Sequence, residues 1–127
     1  MSASNTKLNI KKVLIADDEE LIRKSLARLL AKQGFEVFEA EDGAIASQVW
    51  LDKRPDIILL DYLMPKMTGL EVLSQIPENI RGVVIVISAF VGEKERDAFL
   101  SKGVRDFYKK PFDDIFKFME FIKNQYG

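Results

Sequence analysis

Short apolar runs alternate along the chain with amphipathic stretches of helical period. VLIA (13–16), FEVFEA (35–40), DIILL (56–60), VVIVIS (83–88) and VRDFY (104–108) read as five strands. Three of them are almost continuously apolar, as strands covered on both faces should be. Segments of helical period occupy 20–33, 43–53, 66–75 and 93–102, and a fifth over 113–125 closes the chain. In the first, Ile22, Leu26, Leu29 and Leu30 make one stripe, with Arg23, Lys24, Arg28 and Lys32 expected in water and Gly34 as the stop. In the last, Ile115, Phe116, Met119 and Ile122 are the expected buried stripe. Phe118 and Phe121 fall outside it, either as an exposed contact surface or as half-covered flanks. Strict alternation of strand and helix with short loops predicts a parallel sheet with right-handed crossovers, hence a doubly wound three-layer αβα domain.

Composition narrows the chemistry. At 127 residues, one domain is expected, burying roughly two-thirds of its unfolded surface. A net charge of -1 favours neither a nucleic acid nor an anionic membrane surface, and no apolar run approaches a membrane span. The polar stretch MSASNTKLNIKK lacks the apolar core of a signal peptide, so residues 1–11 read as a lead-in to a cytoplasmic domain at 12–126. With no cysteine there is no thiolate chemistry, and with no histidine any phosphohistidine in a mechanism belongs to another protein.

Open α/β sheets bind ligands beyond the carboxyl ends of their strands, near the point where strand order reverses. The first strand here ends in Asp17 and Asp18, the third in Asp61 and the fourth in Ser88, while Lys109, Lys110 and Pro111 follow the fifth. Three carboxylates, a hydroxyl and a lysine are thus expected at one edge. Carboxylate pairs 4 Å apart repel by about 4 kcal/mol at an effective dielectric near 20, so a cation is required. Mg2+, a hard ion that takes carboxylate oxygens, fits. The set is also suited to accepting a phosphoryl group, with Asp61 as nucleophile, Lys110 paired with one phosphoryl oxygen and Ser88 bonded to another. Taken singly, each feature is ordinary: DDE is a common helix cap, KKPF a common surface loop, and Phe107 an ordinary core residue.

ADDE after the first strand, LLDYLMPKMTG around the third, ISA at the fourth and KKPF after the fifth together resemble the receiver domain of bacterial two-component response regulators, over residues 12–126. The resemblance implies a flavodoxin-like sheet in the order 2-1-3-4-5 and phosphorylation of Asp61 by a sensor histidine kinase or a histidine phosphotransfer protein. It implies Mg2+ held directly by Asp18, through water by Asp17, and by Asp61 and the Leu63 backbone carbonyl. It implies a cis Lys110-Pro111 peptide and a switch coupling Ser88 to Phe107, where the commoner tyrosine is replaced. Helix four, strand five and the last helix would form the surface for a homodimer or a downstream partner. Such a domain is no enzyme beyond catalysing its own phosphorylation and dephosphorylation. Leu63 and Phe90 flank the family's path for the hydrolytic water, and their apolar side chains predict a long-lived phosphoryl group, while the small Ala89 leaves the site open to a donor.

Other classes fit less well. A receiver-like interaction module independent of phosphate usually lacks an acid or the lysine, and both are present here. A dehalogenase-type hydrolase wants a second acid at position 63, and a flavodoxin-like carrier wants a glycine-rich phosphate loop where ADDEEL stands. Nothing after Gln125 reads as an output domain, which suits a stand-alone receiver or the receiver of a longer regulator.

Overall fold

The computed structural model describes residues 11–127. Among them, β1 (Lys12–Ala16), β2 (Glu36–Ala40), β3 (Ile57–Leu60), β4 (Val83–Ser88) and β5 (Asp106–Lys109) form one sheet in the order β2-β1-β3-β4-β5, all parallel. Helices α1 (Glu20–Lys32), α2 (Gly43–Lys53), α3 (Gly69–Gln75), α4 (Glu93–Ser101) and α5 (Ile115–Tyr126) alternate with the strands, and a single 3-10 turn at Glu78–Ile80 was not foreseen. The order places the reversal between β1 and β3, as the doubly wound reading requires. The expected polar lead-in lies outside the described residues, apart from Lys11.

Side-chain alternation along the strands builds two cores. Leu14, Ala16, Ile58, Leu60, Val84 and Val86 pack against Trp50, Leu73 and Phe99 beneath α2, α3 and α4. Val13, Ile15, Ile57, Leu59, Ile85 and Ile87 pack against Leu26, Leu30, Phe118, Met119 and Ile122 of α1 and α5. Both faces of the central strands are therefore dry, which is why β1, β3 and β4 read as unbroken apolar runs.

Three helical expectations are corrected. Phe118 is buried and Phe116 is 69% exposed, the reverse of the expected stripe. The Asp114 side chain caps α5 by accepting from the backbone N–H of Phe116 and Lys117, so the first turn starts at Ile115. From that start Ile115, Phe118, Met119 and Ile122 share a face at helical spacing, and Phe116 lies about 100° away from Ile115. Phe121 is half-buried against Tyr108, with ring centroids 5.3 Å apart. Arg23, expected in water, is buried and tied to two other elements. The third helix also begins later than its periodicity suggested: Lys66 has a φ of 72°, and Thr68 and Glu71 form a reciprocal capping box that starts α3 at Gly69.

Candidate phosphoacceptor site

Register brings the acids together. Ala16 pairs with both Ala40 and Leu60, and each ladder runs one residue further. The Asp17 N–H donates to the Ala40 carbonyl at 3.0 Å and the Asp61 N–H to the Ala16 carbonyl at 2.9 Å. Asp17 and Asp61 therefore leave adjacent strands side by side. On β4 and β5 the pairing Ser88 to Lys109 is extended by the Lys110 N–H, which donates to the Ser88 carbonyl at 3.0 Å. The Lys110-Pro111 peptide is cis, as the resemblance implies.

The Lys110 ammonium is buried and lies among three carboxylates: Asp17 at 2.9 Å, Asp61 at 3.0 Å and Glu19 at 2.6 Å. Asp17 is wholly buried and Asp61 is 3% exposed. Burial pushes the Asp61 carboxyl up to about 6, with the Asp17 charge adding to the rise and the Lys110 hydrogen bond opposing it. For Lys110 burial acts downward, but the bonds to Glu19, Asp17 and Asp61 outweigh it and hold the ammonium above the usual lysine range. A cavity of about 250 Å³ opens onto Asp61, Lys110, Ser88 and Glu19, with Asp18, Leu63, Ala89 and Phe90 completing its lining.

The expected residues occupy distinct places around this centre. Asp17, Asp61 and Lys110 are in direct contact, and Ser88 lines the cavity with its hydroxyl donating to the Phe90 carbonyl at 3.2 Å. Asp18 lines the cavity from the exposed side, and the acid that joins Asp17 and Asp61 in one cluster is Glu19. Leu63 and Phe90, 56% and 66% exposed, lie at the mouth. Phe107 is half-buried, edge-on to Phe99 at 6.2 Å, with the Arg96 guanidinium 4.2 Å from its ring centre. The guanidinium lies over the ring face, a cation–π contact.

Glu19, Arg23 and Glu39 were not anticipated. Arg23 donates from Nη1 to the Asp17 carbonyl at 2.9 Å and from Nε to Glu39 at 3.0 Å, which anchors the β1–α1 turn to β2. The third acid of ADDE was the available signal for Glu19. Nothing in sequence spacing links Arg23 to Glu39, sixteen residues away on another element.

Oxygens of Asp17, Glu19 and Asp61 all lie within 4.8 Å of one another. Three carboxylates against one ammonium leave two negative charges at a largely buried edge, and the donors are hard oxygens. Both features fit a magnesium ion.

The model of the response regulator receiver domain matches residues 13–120. The chain belongs to that family. Response regulator MprA of Mycobacterium sp. strain KMS is 36% identical over 102 residues, covering 80% of this chain and 44% of that protein. Regulatory protein AtoC of Escherichia coli K12 is 35% identical over 105 residues, 82% of this chain and 23% of AtoC. The receiver domain thus spans less than half the length of these curated relatives. Among solved structures, the N-terminal domain of an uncharacterized Wolinella succinogenes protein superposes with a TM-score of 0.82 at 33% identity, covering 90% of this chain and 92% of that one. A chain of the CheX-CheY-BeF3-Mg+2 complex from Borrelia burgdorferi superposes with a TM-score of 0.78 at 33% identity, covering 94% and 93%. The expected fold and family are both met. Among the described residues no helix is long and apolar enough to cross a membrane.

Proposed function

We propose that this receiver domain accepts a phosphoryl group on Asp61 in a Mg2+-dependent reaction and passes the signal on through the surface of α4, β5 and α5. The observation that carries the reading is the buried Lys110 ammonium bridging Asp17 and Asp61 at the mouth of the sheet. An oxygen of ionised Asp61 attacks phosphorus, the P–N bond to a donor imidazole breaks, and the imidazole leaves to take up a proton. Since the chain has no histidine, that imidazole belongs to a sensor histidine kinase or a phosphotransfer protein. Lys110 is placed to hold a phosphoryl oxygen, and Ser88 reaches another by giving up its bond to the Phe90 carbonyl. Held by Asp18, Asp61 and the Leu63 backbone carbonyl and through water by Asp17, with Glu19 beside them, Mg2+ would neutralise charge on the transferring oxygens. Turnover is confined to the domain's own phosphoryl group. A cytoplasmic setting, a downstream protein target or output domain, and pairing through α4, β5 and α5 complete the proposal.

Intact mass after incubation with Mg2+ and acetyl phosphate tests it. The native chain should gain one phosphoryl group, prior EDTA should prevent the gain, and Asp61→Asn should show none. No gain by the native chain with acetyl phosphate or with histidine kinases would instead support a phosphorylation-independent interaction module.

Leu63 and Phe90 carry a separate prediction about lifetime. Both stand at the cavity mouth and neither has a polar group to orient water. Phe90→Glu or Leu63→Asn should shorten the phosphoryl half-life several-fold, measured by the decay of the phosphorylated mass. An unchanged half-life in both variants would remove these residues from the account.

A further inference from the structure

Resting on the phosphoacceptor reading, we propose that Glu19 is a placeholder: it holds the Lys110 contact that a phosphoryl oxygen takes over, and so sets how readily the lysine is released to the phosphorylated state. An ammonium has three N–H groups and no more. Here three carboxylates accept from it, Asp17 at 2.9 Å, Glu19 at 2.6 Å and Asp61 at 3.0 Å. Lys110 can meet a phosphoryl oxygen only by releasing one of them.

The three partners are not equally easy to release. Asp17 is wholly buried, its carbonyl is held by Arg23, and its second carboxylate oxygen accepts the Glu19 backbone N–H at 2.9 Å. Detaching it would leave a buried charge with one partner fewer, which is costly. Asp61 is the nucleophile that takes on the phosphoryl group, so it stays in place. Glu19 has a side chain 55% exposed, so water replaces Lys110 around it at small expense. Glu19 also faces the same cavity as Asp61, Ser88 and Lys110, where the phosphoryl group would sit. Its backbone is the N-cap of α1, yet its side chain makes no cap bond and is turned to the lysine instead.

Removing Glu19 therefore moves two affinities in opposite directions. Mg2+ alone loses a nearby carboxylate and should bind more weakly. Beryllofluoride, a phosphoryl mimic, meets a lysine with a free N–H and should bind more tightly once Mg2+ is saturating. A partly exposed ion pair sets the scale at roughly two- to fivefold. A side chain that only supported the loop would weaken both ligands when removed.

The test is titration of the native domain, Glu19→Ala and Glu19→Asp with Mg2+ alone, and then with beryllofluoride at saturating Mg2+, by calorimetry. Glu19→Asp keeps the charge but is one methylene shorter, which separates release of Lys110 from loss of repulsion. Both variants should bind beryllofluoride more tightly than the native domain, and Glu19→Ala should also bind Mg2+ more weakly. Beryllofluoride binding that is unchanged or weaker in Glu19→Ala, or tighter in Glu19→Ala but native-like in Glu19→Asp, would overturn the placeholder role while leaving the acceptor site intact. Failure of the native domain to bind beryllofluoride with Mg2+ would defeat the phosphoacceptor reading and this inference with it.

Discussion

Gly69→Ala should destabilise the domain by about 1–3 kcal/mol, the range for forcing extra atoms into a packed site, and should weaken Mg2+ binding with it. Gly69 is the first residue of α3, and its N–H donates to the Tyr62 carbonyl at 2.6 Å. A methyl group added there meets the Asp61 backbone carbonyl, with the Leu60 Cγ 3.2 Å away. Neither side can yield by turning a side chain: one is the first turn of a helix and the other is the backbone that carries the acceptor. Either α3 moves out or Asp61 moves away from Asp17 and Lys110. Gly34→Ala is the control, because Gly34 has a φ of 98° but open space around its Cβ position. Its substitution should cost about 1–2 kcal/mol of backbone strain and leave Mg2+ affinity unchanged. Urea unfolding with a Mg2+ titration on both variants separates the cases. A Gly69→Ala variant with native Mg2+ affinity would show that α3 does not brace the acceptor.

Asp61→Asn should make the metal-free domain more stable at pH 7, by about 2–3 kcal/mol at most on the scale of 1.36 kcal/mol per pKa unit. Burial raises the Asp61 carboxyl from 3.8 to about 6. Between those values the folded state holds a proton that the unfolded state has released, so stability falls as pH rises through the window. Asparagine carries no charge and removes that penalty, while Lys110 keeps Asp17 and Glu19 as partners. The advantage of the variant should be full above pH 6 and vanish below about pH 4, where Asp61 is protonated in both states. Mg2+ should raise the melting temperature of the native domain more than that of Asp61→Asn, since it favours the ionised carboxylate. A variant less stable than native at pH 7 without metal would mean that Asp61 is held by favourable contacts rather than strained by burial.

Much of this site is legible in the chain because β1, β3 and β4 are short apolar runs that each give way to a polar residue, Asp17, Asp61 or Ser88, whose position the sheet dictates. Asp17, Asp61, Ser88 and Lys110 converge by register alone, and their order along the chain suffices to find them. Glu19 is harder to see, since an acid just before a helix usually serves as a cap, whereas in the fold its side chain is turned onto Lys110. Arg23 is hidden for a related reason: a basic residue on an amphipathic helix reads as solvated, and its carbonyl and carboxylate partners come from other parts of the fold. The exchange of Phe116 for Phe118 is a matter of which edge of the α5 stripe turns to the sheet: Phe118 packs between Tyr108 and Phe112, with ring centroids 4.7 and 4.9 Å away, while Phe116 is left exposed.

The most direct test is to locate the phosphoryl group. After phosphorylation with acetyl phosphate and Mg2+, borohydride reduction converts an aspartyl phosphate to homoserine, which peptide mass spectrometry assigns to a residue. Homoserine at position 61 and nowhere else is the expected result. A reduced residue at Asp17, Asp18 or Glu19, or a phosphorylated chain with position 61 intact, would contradict Asp61 as the acceptor.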